Sequence, residues 1–126
     1  MSKIRTQINL PDKWFSEHKK HFDSKSLNIP LDFVCNEYLK NKKIAPRPQD
    51  IFKAFELCSY QKTKVIIFGQ DPYFQAGLAN GLAFSVNKNY PIPASLKNIY
   101  KEIKNDTGIL LNRDGSLESW ASQGVL

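Results

Sequence analysis

The hydrophobic positions of this chain follow a helical period at first and then change. Residues 12–22 place Trp14, Phe15, His18 and Phe22 on one face of a helix, with Lys13, Lys19 and Lys20 off it. Residues 31–41 repeat the pattern with Leu31, Val34, Cys35, Tyr38 and Leu39. The stretch Ala45-Pro46-Arg47-Pro48 then breaks the chain, because a proline inside a helix loses a hydrogen bond and crowds the preceding turn. Asp50 is read as the N-cap of a third helix whose apolar face is Ile51, Phe52, Phe55 and Cys58.

The period changes at Val65-Ile66-Ile67-Phe68, a continuous apolar run closed by Gly69. Such a run predicts a strand buried on both faces, as in a parallel sheet with helices on each side. Leu82-Ala83-Phe84-Ser85-Val86 is read as a shorter extended segment. After a turn around Pro91 and Pro93, Ser95 starts a helix with Leu96, Ile99, Tyr100 and Ile103 on its face, and Gly108 ends it. Residues 116–123 give one or two further turns with Leu117, Trp120 and Ala121 inward. Gly124-Val125-Leu126 reads as the start of another buried strand. The expectation is an α/β chain, a partial doubly wound fold whose helices flank a parallel sheet that 126 residues do not complete. One complete strand makes no sheet, so the pattern is that of the front part of something longer.

Length and composition narrow this picture. At 126 residues the chain has room for a single small domain, residues 1–126. Eight Phe, five Tyr and two Trp supply apolar bulk that an ordinary disordered chain lacks. No apolar run approaches the roughly 20 residues that span a bilayer, and Met-Ser-Lys-Ile-Arg-Thr opens no secretory signal. Cys35 and Cys58 stand apart, outside any CxxC spacing, and read as buried thiols rather than disulfide or metal ligands. A soluble protein of a reducing compartment is expected, with no membrane partner: cytoplasmic, or nuclear in a eukaryotic or viral setting.

The formal net charge of +6 is unevenly spread. Thirteen of the 18 Lys and Arg residues lie in residues 1–64, against seven of the 12 Asp and Glu. Composition alone favours lysines that solvate the outer faces of helices. It permits a nucleic-acid partner, bound weakly and in a salt-sensitive way, without naming one.

The candidate chemistry follows the apolar run, at Gly69-Gln70-Asp71-Pro72-Tyr73. The carboxyl end of a strand opens into the ligand crevice of an α/β sheet. Asp71 is there a carboxylate at the mouth, with Tyr73, Phe74 and Phe84 as aromatic walls. A carboxylate ringed by aromatics suits a planar base and a water to be oriented. The bare tripeptide Asp-Pro-Tyr fits better a carboxylate that caps the next turn beside core aromatics. The longer string alters that balance.

Residues 65–73, the block Gly81-Leu82-Ala83-Phe84-Ser85-Val86, the block Ile92-Pro93-Ala94-Ser95-Leu96-Lys97-Asn98-Ile99-Tyr100-Lys101-Glu102 and residues 117–126 together resemble the uracil-DNA glycosylase family, in its main uracil-excising branch. Upstream, Pro46, Pro48, Ile51, Phe52, Ala54 and Phe55 resemble the proline-led segment before the family's motif helix. The resemblance covers nearly all of the chain beyond about Trp14 and implies its N-terminal part of a truncated member. It implies a hydrolase of the N-glycosidic bond of uracil in single- or double-stranded DNA, a base-flipping enzyme of base excision repair. No cofactor and no metal are implied, and a completed fold would be a monomer. A catalytically silent DNA-binding remnant, or an incomplete gene product, is the alternative.

Position by position, the resemblance implies that Asp71 orients the attacking water and stabilises an oxocarbenium-like sugar. Gln70 contributes backbone to uracil recognition, and Tyr73 fills the space beside C5 and rejects thymine. Phe84 is the platform on which flipped uracil stacks, and Ser95, after Pro93 of the proline-rich loop, grips a DNA phosphate. The chain departs from the family at Phe74, where a His is usual, and at Ala94, where a second proline is common. Its loop Gln75–Asn80 lacks the usual Pro, with altered side chains at Leu78 and Asn80. His18 and His21 match no catalytic position. The family's uracil-reading Asn, its catalytic His and its leucine wedge fall past Leu126, so these 126 residues alone are expected to release no uracil above background.

Overall fold

A computed structural model describes residues 3–17, 24–40, 43–111 and 114–126. Five helices are seen among them: α1 (Asp12–Glu17), α2 (Ser24–Lys40), α3 (Lys53–Leu57), α4 (Ala94–Thr107) and α5 (Glu118–Ser122). Three 3-10 turns lie between or before them, at Arg5–Gln7, Pro48–Asp50 and Tyr60–Lys62. No helix among the described residues is long and apolar enough to cross a membrane. The first predicted helix is present over 12–17. Its remaining positions, including His18, Lys19, Lys20 and Phe22, lie outside the described residues, as do His21 and position 41.

Trp14 on α1 fixes that helix to the segment around α3. Its indole Nε1 donates to the carbonyls of Phe55 at 3.1 Å and Cys58 at 2.9 Å. Its ring meets Phe55 and Tyr60 edge-on, at centroid distances of 5.1 and 5.5 Å. An amphipathic indole thus uses both its apolar body and its polar handle. Helix α2 begins earlier than the sequence predicts, carrying Pro30 inside it. That proline forfeits one backbone bond, yet the turns before it persist because Leu27 packs against the buried cluster of Ile8, Leu31 and Cys35. Ile4, Ile51 and Phe52 pack on the same cluster. Leu39, expected on the inward face, is exposed instead.

Asp50 does not cap α3. That helix starts at Lys53 with Phe52 at its N-cap, without a side-chain bond. Arg47, three residues before Asp50, takes its carboxylate at 2.7 Å, so the nearly buried Asp50 is spent on an ion pair. The peptide between Ala45 and Pro46 is cis. Cys35 and Cys58 are free and buried, as the sequence predicts.

The predicted sheet is reduced, among the described residues, to one parallel bridge between Val65 and Val125. Four backbone bonds make it: Lys64 and Val65 donate to Gly124, Leu126 donates to Val65, and Ile67 donates to Leu126. Gly124 permits this approach, since at φ +106° a Cβ there would sit 2.3 Å from the Lys62 carbonyl. The run is not buried on both faces: Val65, Ile66 and Phe68 are 51%, 53% and 86% exposed, because no described residue packs over those side chains. Leu82–Val86 is also not an extended segment. It is a turn, closed by the Ser85 amide on the Leu82 carbonyl at 3.2 Å, that leads into an antiparallel bridge between Ala79 and Val86.

The last two helices match their pattern. Pro93 caps α4 at its start and Gly108, at φ +72°, ends it with its amide on the Lys104 carbonyl. Leu96 is fully buried and Ile99, Tyr100 and Ile103 are half-buried along the same face. Leu117 and Ala121 are buried at α5, and Lys53 of α3 pairs with Glu118 of α5 at 2.6 Å.

Candidate functional site

A cleft of about 530 Å³ opens where the segment after the bridge, the 79–85 loop and the start of α4 meet. Five of the six candidate residues read from the sequence line it: Gln70, Asp71, Tyr73, Phe84 and Ser95. The sixth, Pro93, does not line it but sets the start of the helix that carries Ser95. Pro46 and Ile51 form the facing wall. Phe74, the aromatic expected beside Asp71, points away from the cleft and is 87% exposed.

Tyr73 is the centre of the arrangement. Its hydroxyl lies 3.2 Å from the Phe84 carbonyl, to which it donates, and 2.9 Å from the Ser95 hydroxyl. One phenol thus ties together three segments distant in sequence. Phe84 itself adopts φ +61°, a left-handed conformation costly for a residue with a bulky side chain. The strain is local to the cleft, where Phe84 presents an aromatic surface.

Behind that surface lies a buried polar knot. Asn80 and Ser85 are essentially inaccessible, and the Asn80 amide donates to Ser85 Oγ at 3.0 Å. Ser85 Oγ also accepts the Leu117 amide at 2.9 Å and reaches the Gly115 carbonyl at 3.5 Å. The Asn80 side-chain oxygen Oδ1 accepts the Leu82 amide at 3.4 Å. The side-chain polar atoms of Asn80 and Ser85 all find partners, which is the condition for burying them. Beside it, Gly81 at φ +87° lets the loop pass the Asp50 carbonyl, which a Cβ would approach to 2.1 Å. The sequence carries a weak signal for the knot at best: Asn80 before Gly81 reads as an ordinary turn pair.

Asp71 is the one charged side chain among the described residues lining the cleft. It is exposed, and its carboxylate has no hydrogen-bond partner among them. Behind the facing wall, the Arg47 guanidinium is held above its ordinary range, first by its hydrogen bond to Asp50 and then by that carboxylate's charge. A free carboxylate, two aromatic rings and a hydroxyl in one cleft suit a planar ligand attached to a polar group.

An aromatic-walled, carboxylate-bearing cleft at the end of a parallel-bridged segment has the placement of the ligand crevice in α/β proteins. Comparison with known proteins is more specific. The chain is 43% identical over 119 residues to a uracil-DNA glycosylase of Azobacteroides pseudotrichonymphae, covering 94% of this chain and 54% of that protein. It is 46% identical over 120 residues to a uracil-DNA glycosylase of Campylobacter fetus, covering 95% and 51%. Among solved structures it resembles mimivirus uracil-DNA glycosylase with a TM-score of 0.72 at 28% identity, over 98% of this chain and 47% of that one. A variant of mimivirus UNG in complex with UGI gives a TM-score of 0.75 at 29% identity, over 99% and 48%. No family model matches. Over nearly its whole length the chain is similar to uracil-DNA glycosylases, in sequence and in an α/β class of fold. It spans about half the length of the curated relatives it matches.

Proposed function

We propose that the chain serves hydrolytic excision of uracil from DNA, with residues 1–126 acting as one domain of the doubly wound, parallel-sheet type. The observation that carries this reading is the convergence of Asp71, Tyr73, Phe84 and Ser95 on one cleft. A flipped uracil stacks on Phe84, with the Tyr73 ring beside its C5. Rejecting thymine needs such a hard wall, since apolar contact with a single methyl discriminates by only about 1–3 kcal/mol. Ser95 binds a backbone phosphate through its hydroxyl, and the Gln70 backbone meets the uracil edge. Asp71, exposed and without a partner among the described residues, orients the water and faces the positive charge that develops on the sugar as the N-glycosidic bond breaks. DNA, single- or double-stranded, is the partner, and a completed fold acts as a monomer inside the cell.

The role of Asp71 is open to a direct binding test that stands apart from turnover. An oligonucleotide with a cationic pyrrolidine in place of one deoxyribose mimics the charge of the transition state. A neutral tetrahydrofuran at the same place does not. The wild-type chain is expected to bind the cationic oligonucleotide about tenfold more tightly, the scale of a charge-assisted contact. Asp71→Asn is expected to lose that preference while binding the neutral oligonucleotide as before. Equal affinity for the two in wild type, or a preference retained in Asp71→Asn, overturns the assignment.

A further inference from the structure

The hydroxyls of Tyr73 and Ser95 share too few protons for all their partners. Tyr73 Oη has one proton, and the Phe84 carbonyl at 3.2 Å can only accept it. The 2.9 Å contact with Ser95 Oγ is then a hydrogen bond only when Ser95 donates its own proton to the phenol. In this arrangement both contacts are satisfied and both protons are used. A phosphate oxygen, however, is an acceptor and requires a donor from Ser95.

We propose that Tyr73 and Ser95 form a hydroxyl relay that reverses when Ser95 takes up a DNA phosphate, and this rests on the phosphate-binding role given to Ser95 above. In the free protein the protons point from Ser95 to Tyr73 to the Phe84 carbonyl. With phosphate bound, Ser95 donates outward, the phenol turns to donate to Ser95, and the Phe84 carbonyl gives up its donor. Phosphate capture at the mouth of the cleft is thereby coupled to the backbone of the strained aromatic platform. Tyr73 has two separable parts in this scheme: its ring forms a wall, and its hydroxyl is a positioning group that opposes phosphate binding until the relay turns.

The relay makes a sign prediction that a passive contact does not. Tyr73→Phe keeps the ring but frees the Ser95 proton, so phosphate binding no longer displaces an internal bond. Affinity for a short fluorescein-labelled oligothymidylate, read by anisotropy at fixed salt, is expected to rise about threefold to tenfold in Tyr73→Phe, the range of one net hydrogen bond. The gain is expected to vanish when Tyr73→Phe is made in a Ser95→Ala background, with Ser95→Ala alone binding more weakly than wild type. Thermal melting of all four proteins establishes that each is folded before affinities are compared. A Tyr73→Phe chain that binds no more tightly than wild type, or a gain that survives Ser95→Ala, overturns the relay while leaving DNA binding intact. Failure of the folded wild type to bind the oligonucleotide overturns the relay together with the DNA-binding reading beneath it.

Discussion

Two neighbouring segments of this molecule exchange the environments their composition suggests. Val65–Phe68 is wholly apolar, yet three of its four side chains are exposed. Asn80–Val86 contains an amide and a hydroxyl, and these are among the most deeply buried side chains present. Hydropathy states what a side chain gains by burial, whereas the surrounding chain decides whether anything arrives to cover it. The first segment has a backbone partner in residues 124–126, yet Val65, Ile66 and Phe68 stay exposed and only Ile67 is half-buried. The second is enclosed by Gly115, Leu117 and its own residues, which satisfy its polar atoms one by one. The segment that shapes the cleft is therefore the one locked by specific bonds.

The largest expected effect on this contrast comes from Ser85→Ala. The substitution removes the acceptor of both the Asn80 amide and the Leu117 amide while changing little volume. An orphaned buried donor costs about 1–3 kcal/mol, so a loss of about 2–4 kcal/mol is expected for the pair. Urea unfolding followed by tryptophan fluorescence measures it. A loss under about 0.5 kcal/mol would show that the knot does not hold the loop, and that its burial is incidental.

Much of this was legible in the sequence, for reasons that differ by element. Helix α4 was readable because its apolar spacing is regular, with proline before it and glycine after. The gathering of Gln70, Asp71, Tyr73, Phe84 and Ser95 followed from ordered blocks resembling a family, which carry tertiary proximity that no local pattern contains. The Asp50 cap was misread because local propensity cannot see Arg47 capture the carboxylate. Leu82–Val86 looked extended because apolar runs favour strands, while a non-glycine residue with positive φ at Phe84 leaves no trace in composition. The burial expected for Val65–Phe68 failed for a related reason: a sequence records the demand for cover and not its supplier. The burial of Asn80 was not legible because the hydroxyl that accepts its amide proton lies five residues on, at Ser85.

A smaller effect concerns two tyrosines whose hydroxyls, like those of the knot, bond to backbone carbonyls. Tyr38 donates to Pro46, and Tyr100 donates to Asp114 at 2.5 Å. Both phenols titrate above their ordinary value near 10, first because burial disfavours the phenolate. The charge of Asp50, and then that of Cys35, adds to the effect at Tyr38, and that of Asp114 at Tyr100. A folded-state pKa raised above the unfolded one disfavours the native state once the unfolded phenol begins to ionise. Folding in that window takes up a proton. The neutral, hydrogen-bonded phenol's contribution is fully present below about pH 10 and is lost as pH rises through the folded value. Tyr100→Phe is expected to flatten the decline in stability above pH 10 without altering stability near neutrality by more than one net hydrogen bond, about 0.5–1.5 kcal/mol. An unchanged alkaline slope would remove Tyr100 from the account.

The smallest expected effect lies at the other pole of the comparison. Phe68 sits at the end of the apolar run and is 86% exposed, so its ring gains almost nothing from the fold as described. Phe68→Gln is expected to change unfolding free energy by no more than about 0.5 kcal/mol, as for surface substitutions generally. It removes exposed apolar surface, so solubility at high protein concentration is expected to rise. Burying a phenylalanine fully is worth about 1.5–3 kcal/mol. A loss of that size in dilute solution would mean that the ring is covered there, and the contrast between the two segments would collapse to a difference in what covers them. Unfolding curves at two protein concentrations separate the cases: cover by a second copy makes the loss concentration-dependent, whereas cover from within the chain leaves it constant.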